Sequence, residues 1–277
     1  MKKKVCHIIT GLNNGGAEGV LFRLCAFDVS NTHIVISLMD EGKYGPLLRD
    51  AGVTVYSLNM RAGRVSLGGL IKLYKLLRLL KPDVVQTWMY HADLIGGLVA
   101  KMAGIKSVFW NVRHSTLEPG KSKRSTIWVA KACAYLSSWV PNKIVYCAHS
   151  AQAVHEAIGY KVGKAVVIAN GYDLTQFFPD SAAGQLVRQS LNIHASELVI
   201  GMIGRFDPQK DHANLIRALG QVKASGFEFK LILVGSNLDV ENKGIMTWME
   251  RANLIDNIFF MSRIFVSNLN FGNLIFL

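Results

Sequence analysis

Ile200-Gly-Met-Ile-Gly-Arg-Phe-Asp-Pro-Gln-Lys-Asp-His-Ala-Asn-Leu-Ile-Arg-Ala-Leu219 is the stretch from which the rest of the chain can be read. An apolar run, Leu198 to Ile203, predicts a buried strand. Ala213, Ile216, Ala218 and Leu219 then recur at helical spacing, and Asp211 stands where it can cap that helix. The loop between them carries Arg205, a planar bidentate donor, and Lys210, a mobile ammonium. Open α/β sheets bind ligands beyond the carboxyl ends of their strands, near helix N-termini, and two cations there suit a diphosphate. An isolated Arg and Lys pair in a loop is more often a solvated surface feature, and it is the whole string, set between a strand and a helix, that argues otherwise.

The string Gly204-Arg205-Phe206-Asp207-Pro208-Gln209-Lys210-Asp211 closely resembles the start of the donor-binding domain of family-4 retaining glycosyltransferases, which have the two-domain GT-B fold. In that family the matching Arg and Lys contact the diphosphate of a nucleotide-sugar. The resemblance implies an α/β protein of two Rossmann-like, doubly wound parallel-sheet domains. It also implies transfer of a sugar, hexosyl or N-acetylhexosaminyl, from a UDP- or GDP-linked donor with retention of anomeric configuration. No cofactor and no obligatory metal are implied.

Working outward, residues 4–168 alternate short Val/Ile-rich runs with longer helical patterns, as a mostly parallel sheet with helices on both faces requires. Candidate strands are Val5–Ile9, Ile34–Leu38, Val53–Tyr56, Val84–Gln86, Ser107–Trp110, Lys143–Tyr146 and Val166–Ile168. Candidate helices lie at 17–27, 67–80, 92–102, 122–138 and 148–157. A turn and a proline in Asn170-Gly171-Tyr172-Asp173 through Pro179 break this rhythm, giving domains of 1–175 and 176–277. A second series follows, with strands at 198–203, 229–234 and 258–261 and helices at 211–224 and 241–253. Beyond Met261 no period is evident. The family's Glu-x7-Glu segment is missing from the sequence, so the second domain is expected to be incomplete and the chain to end early, as after a shifted reading frame.

In Gly11-Leu12-Asn13-Asn14-Gly15-Gly16-Ala17-Glu18 the adjacent glycines allow close backbone approach and could aim amides at an anion. A tight turn between strand and helix explains them equally well, and the spacing is not that of a dinucleotide fingerprint. The string resembles the family's Gly-Gly-Ala-Glu loop, which assigns Gly15 and Gly16 to donor binding. Phe109-Trp110-Asn111-Val112-Arg113-His114 runs from a strand into a polar loop. Its His114 resembles the family's active-site histidine, while Arg113 could hold a phosphate on the acceptor side. His91 is a weaker acceptor-side candidate with Asp93 beside it, and both suit capping or packing. Gly120-Lys121-Ser122 imitates the tail of a P-loop but lacks the required glycine at position 115.

Thirty-one Lys and Arg against 19 Asp and Glu give a net charge of +12, which points to anionic partners. Nucleic acid is disfavoured, because no recognition motif accompanies the charge. Two helices are basic and amphipathic, near residues 71–81 and 121–131. Lys121, Lys123 and Arg124 beside Trp128 suit an anionic membrane surface, whereas the first helix reads equally well as sheet packing with a solvated face. Cys6, Cys25, Cys133 and Cys147 have no zinc spacing and read as reduced, buried thiols. The basic start at Lys2-Lys3-Lys4 lacks a long apolar continuation, so a first strand is expected and, with it, a cytoplasmic protein peripheral to the membrane's inner face.

These features together point to a glycosyltransferase acting on a glycan or lipid-linked acceptor in surface polysaccharide assembly, such as lipopolysaccharide or capsule. In that reading His114, Arg205 and Lys210 are the catalytic residues. The alternative is a catalytically inactive remnant that retains membrane or glycan binding. A dehydrogenase-like Rossmann enzyme is disfavoured by the missing glycine fingerprint.

Overall fold

The computed structural model describes residues 2–115, 117, 122–175 and 178–261, and the backbone of a short strand at Ile275–Phe276. It forms two compact units, Met1–Gly171 and Tyr172–Leu277.

Unit 1 is built on seven parallel strands: β1 (Lys4–Ile9), β2 (Thr32–Ser37), β3 (Thr54–Ser57), β4 (Val84–Trp88), β5 (Val108–Val112), β6 (Lys143–Tyr146) and β7 (Ala165–Val167), in the order β3-β2-β1-β4-β5-β6-β7. The order reverses between β1 and β4, which is the switch point where doubly wound sheets open a crevice at their carboxyl ends. Six helices join them: α1 (Gly16–Phe27), α2 (Tyr44–Asp50), α3 (Leu67–Leu80), α4 (Tyr90–Met102), α5 (Arg124–Leu136) and α6 (His149–Ala157). Alternation along each strand divides the apolar residues between two cores. Cys6, Ile8, Val85, Trp110 and Val112 belong to the larger one with α3, α4 and α5, and Ile9, Val35, Val55 and Trp88 to the smaller with α1 and α2. Helix α4 lies close on the sheet because Gly96 and Gly97 carry no Cβ. One at Gly96 would stand 2.9 Å from Ile8 Cγ2, and one at Gly97 2.6 Å from Trp110 Nε1.

Unit 2 is smaller. Its strands β8 (Val199–Ile203), β9 (Lys230–Val234), β10 (Ile258–Met261) and β11 (Ile275–Phe276) run parallel in the order β10-β9-β8-β11. Helices α7 (Ser181–Ser190), α8 (His212–Ala224) and α9 (Lys243–Arg251) accompany them. Leu231, Leu233, Ile216, Leu219, Ile245 and Met249 form one core, and Val199, Ile232, Val234 and Val187 the other.

Two helices were not anticipated. In α2, seven residues long, Pro46 sits in the first turn, where a missing N–H is tolerated but the sequence reads as a breaker. Helix α7 is capped by Asp180, whose carboxylate accepts from Ala183 N. No strand period is evident in the sequence beyond Met261, yet Ile275 and Phe276 pair with Ile200 and Gly201. Two residues are too few to show a period in sequence.

Candidate functional site

The loop after β8 is held by the loop after β9. Gly204 N donates to Val234 O at 2.8 Å and Phe206 N to Ser236 O at 2.9 Å. A Cβ on Gly235 would overlap the carbonyl of Gly204, so the two loops touch only because position 235 is glycine. Pro208–Lys210 form one 3-10 turn, started by Asp207 Oδ1, which accepts from Gln209 N at 3.0 Å. Arg205 Nε donates to Asp207 Oδ2 at 2.9 Å, and the Gln209 amide followed by Arg205 holds the Asp207 carboxyl below the usual range. The Arg205 side chain is still 58% exposed. Lys210 is exposed as well, with its stem lying over Gly204. The expected cap is corrected here: Asp211 takes a left-handed conformation, φ 55°, at the junction of turn and helix, and its side chain caps nothing. The side-chain cap in this loop is made by Asp207, which starts the 3-10 turn that precedes α8.

His212, the first residue of α8, was missed by sequence reading. It is buried beneath this loop, 5.6 Å from the Phe206 ring, which in turn packs on Trp248 at the same distance. Burial, then Lys210, lowers its pKa, so it packs as a neutral imidazole. The only sequence signal was its place one residue after the basic loop.

In unit 1, Gly15 is the N-cap of α1 with φ −146°. The space its missing side chain leaves is taken by the Glu18 carboxylate, while nothing lies within 4 Å of a Cβ on Gly16. Burial raises the Glu18 pKa, and its own backbone N–H offsets part of this. The helix N-terminus thus already faces a carboxylate, a stabilising arrangement for the helix dipole.

Arg113 and His114 follow β5 and go to opposite faces of the sheet. Arg113 packs beside the smaller core, its guanidinium carbon 5.1 Å from the centre of the Trp88 ring and its Nη1 donating to Asn170 Oδ1 at 2.7 Å. Among the described residues its buried Nε has no partner, and neither has either side-chain atom of Asn111 two residues earlier on the same face. His114 lies 6.0 Å from Tyr90, whose hydroxyl donates to His155 Nε2 at 2.6 Å; His155 Nδ1 donates to Ala151 O. His91 is half-buried in the first turn of α4, and burial lowers its pKa. Asp93 is fully buried and accepts from Thr87 Oγ1 at 2.5 Å, with burial raising its pKa well above the usual value. Met89, at the β4–α4 junction, holds φ 72°, a strained value for a residue with a side chain, at the carboxyl edge of the sheet.

Beneath Trp88 runs a buried chain of hydrogen bonds. Trp88 Nε1 donates to His7 Nδ1 at 3.2 Å, His7 Nε2 lies 2.9 Å from His33 Nδ1, and His33 Nε2 lies 3.1 Å from Asp28 Oδ2. An indole N–H only donates, so His7 carries its proton on Nε2, and His33 in turn donates from Nε2 to Asp28. Burial, then His33, brings the His7 pKa down to about 3. His7, Cys25 and His33 also place three possible metal ligands within 4.8 Å of one another. A cation bound through His7 Nε2 would force its proton onto Nδ1, against the Trp88 N–H, and one bound through Nδ1 would displace that N–H, so the proton pattern suits the hydrogen-bonded chain instead. Cys6 and Cys25 are buried, with thiols pushed up to about 12, as expected of inert core cysteines. Lys121 lies outside the described residues. Lys123, Arg124 and Trp128 stand on the exposed face of α5.

Residues 14–176 match the model of Glycosyltransferase Family 4, and residues 185–269 match that of Glycosyl transferases group 1. The chain belongs to Glycosyltransferase Family 4. Among relatives of this family-4 chain, the Bacillus subtilis protein EpsF, named as a glycosyltransferase, is 23% identical over 84% of this chain and 62% of its own length. An Escherichia coli UDP-Gal:alpha-D-GlcNAc-diphosphoundecaprenol alpha-1,3-galactosyltransferase is 31% identical over 51% of this chain and 37% of its own. The chain therefore spans about three fifths of EpsF and less of the second relative. Anabaena Alr3699/HepE, solved with UDP-glucose, superposes with a TM-score of 0.75 at 20% identity, over 94% of this chain and 69% of that one. At that identity the likeness concerns the fold, which is GT-B.

Proposed function

We propose that this chain carries the glycosyl-transfer machinery of a retaining glycosyltransferase that takes a UDP-linked hexose or N-acetylhexosamine and extends a lipid-linked glycan in surface polysaccharide assembly. The observation that supports this most is the loop Gly204–Asp211, fixed at the carboxyl ends of β8 and β9 with its two cations exposed. Arg205 and Lys210 bind the diphosphate and stabilise the charge that develops on it as the sugar–phosphate bond breaks, which is where fixed charges lower such a barrier most. His114 takes the role of the active-site histidine that it resembles. Gly16 offers its amide to the donor, with Gly15 beside it. Arg113, seated on Trp88 and Asn170, holds an anionic group of the acceptor, and His91 borders it. The Anabaena structure with UDP-glucose supports the choice of nucleotide, and the name of the Escherichia coli relative supports a diphosphate-linked lipid acceptor. No described helix is long and apolar enough to cross a membrane. The chain reaches its acceptor from the inner membrane face, with Lys121, Lys123, Arg124 and Trp128 as the first contact.

UDP release from a panel of UDP-sugars, with a lipid-linked glycan extract as acceptor, tests this. Arg205→Ala or Lys210→Ala is expected to slow release by roughly 10²–10³-fold. Unchanged release in both variants would overturn the assignment.

A further inference from the structure

The outer face of α5 carries an organised surface that extends well past its N-terminal cations. The helix buries Ala130, Cys133 and Ala134 and turns Arg124, Trp128, Lys131 and Tyr135 outward at spacings of three and four. The chain continues through one further turn to Trp139. Trp128, Tyr135 and Trp139 are 72%, 76% and 74% exposed, although aromatic rings of this size are normally covered. Tyr135 and Trp139 lie ring to ring at 6.3 Å, and the Lys131 ammonium stands 5.8 Å from the Trp128 ring centre.

Cations gather at both ends of this stripe. Lys123 and Arg124 open the helix. At the far end, Lys164 Nζ donates to the carbonyls of Ser138 and Pro141, on either side of Trp139, and burial followed by Lys101 and Lys161 lowers its pKa. Lys143 joins them by donating to Gly163 O. Between Asp93 and Asp173 the sequence holds ten Lys and Arg and only two acids, Glu118 and Glu156.

We infer that unit 1 docks on an anionic phospholipid surface through this face, with α5 lying in the interface plane, the three aromatic rings at the level of the headgroups, and the Lys101/Lys161/Lys164 group as a second headgroup anchor. Indole and phenol rings have one apolar and one polar side, which suits the boundary between water and acyl chains. Flanking ammonium groups add attraction to anionic headgroups. Charge decides among occupants. A second copy of the chain would set cations against cations, whereas a negatively charged lipid leaflet complements both ends at once. The inference deepens the membrane contact proposed above and stands apart from donor binding by Arg205 and Lys210.

Cosedimentation of the full chain with vesicles of phosphatidylcholine mixed with phosphatidylglycerol tests it, and UDP binding is read on the same samples. Wild type is expected to bind the mixed vesicles, to leave pure phosphatidylcholine unbound, and to release in high salt. Trp128→Ser with Trp139→Ser is expected to cut partition by at least tenfold at an unchanged melting temperature. Lys123→Gln with Lys161→Gln should weaken it about fivefold per charge removed. Lys75→Gln with Arg78→Gln, on the other basic helix, should leave it intact. Equal binding by the aromatic double variant, or a concentration-dependent dimer of wild type that this variant abolishes, would overturn the proposal. Absence of UDP binding alongside intact vesicle binding would count against the donor reading alone.

Discussion

Unit 1 and unit 2 each place a glycine-bearing loop between a strand and a helix, Gly11–Glu18 after β1 and Gly204–Asp211 after β8, and the two have different electrostatics. In the first, the room left by Gly15 is filled by Glu18, so the N-terminus of α1 faces a negative charge of its own chain. In the second, an aspartate also lies nearby, but it starts a 3-10 turn and pairs with only the Nε of Arg205, and Lys210 bonds no protein group among the described residues. Glycine gives room and backbone freedom, while the sign of the neighbouring charge decides what can enter. The second loop presents two cations to an anion, whereas the first offers only backbone amides beside a carboxylate.

The largest effect should come from Gly235. Replacing it with Val would force β9's loop away from Gly204, and a loss on the order of 3 kcal/mol is expected, with a matching fall in the melting temperature and loss of UDP binding. Full retention of both would mean that the contact between the loops is not what holds the cations.

A smaller, pH-dependent effect is expected in unit 1. Burial raises the Asp93 pKa in the fold above its unfolded value, so its contribution is fully present below about pH 4 and is lost as pH rises through the folded pKa. Asp93→Asn should therefore raise the melting temperature at pH 8 relative to wild type and do little at pH 4. The opposite ranking would show that Asp93 is ionised in the fold.

For His7 the sign is reversed. Its folded pKa, about 3, lies below the unfolded value, so it contributes stability above about pH 6.5 that declines as pH falls toward 3. Nitrogen-15 spectra at pH 5 should show His7 as a neutral Nε2–H tautomer, unchanged by equimolar zinc. A zinc-dependent shift of His7 and His33 would instead make that group a metal site.

The smallest effect sharpens the comparison of the loops. Glu18→Gln removes the charge at the N-terminus of α1; the lost dipole interaction and the relieved burial of the carboxylate oppose each other, so the melting temperature at pH 7 should change little. If the first loop also takes part in donor binding, the same change should tighten UDP binding.

Most of the fold was legible because strand and helix periods are local. β6 and α3 coincide with their sequence-derived bounds, and β1, β4 and α1 differ by one or two residues at an end. What was not legible depended on partners distant in sequence. Gly235 looks ordinary until its contact with Gly204 is seen. The chain from Trp88 through His7 and His33 to Asp28 joins residues up to 81 positions apart, and no spacing rule predicts it. Arg113 and His114 are adjacent in sequence and looked like one constellation, but strand alternation sends them to opposite faces. Asp211 was misread as a cap because a 3-10 turn precedes α8.

The most direct measurement is a calorimetric titration of UDP into wild type and into the Arg205→Ala/Lys210→Ala double variant. The cation loop as diphosphate site requires that wild type bind and that the double variant bind at least about a hundredfold more weakly, since two charge-assisted contacts are lost. Equal affinity in the two proteins would contradict it.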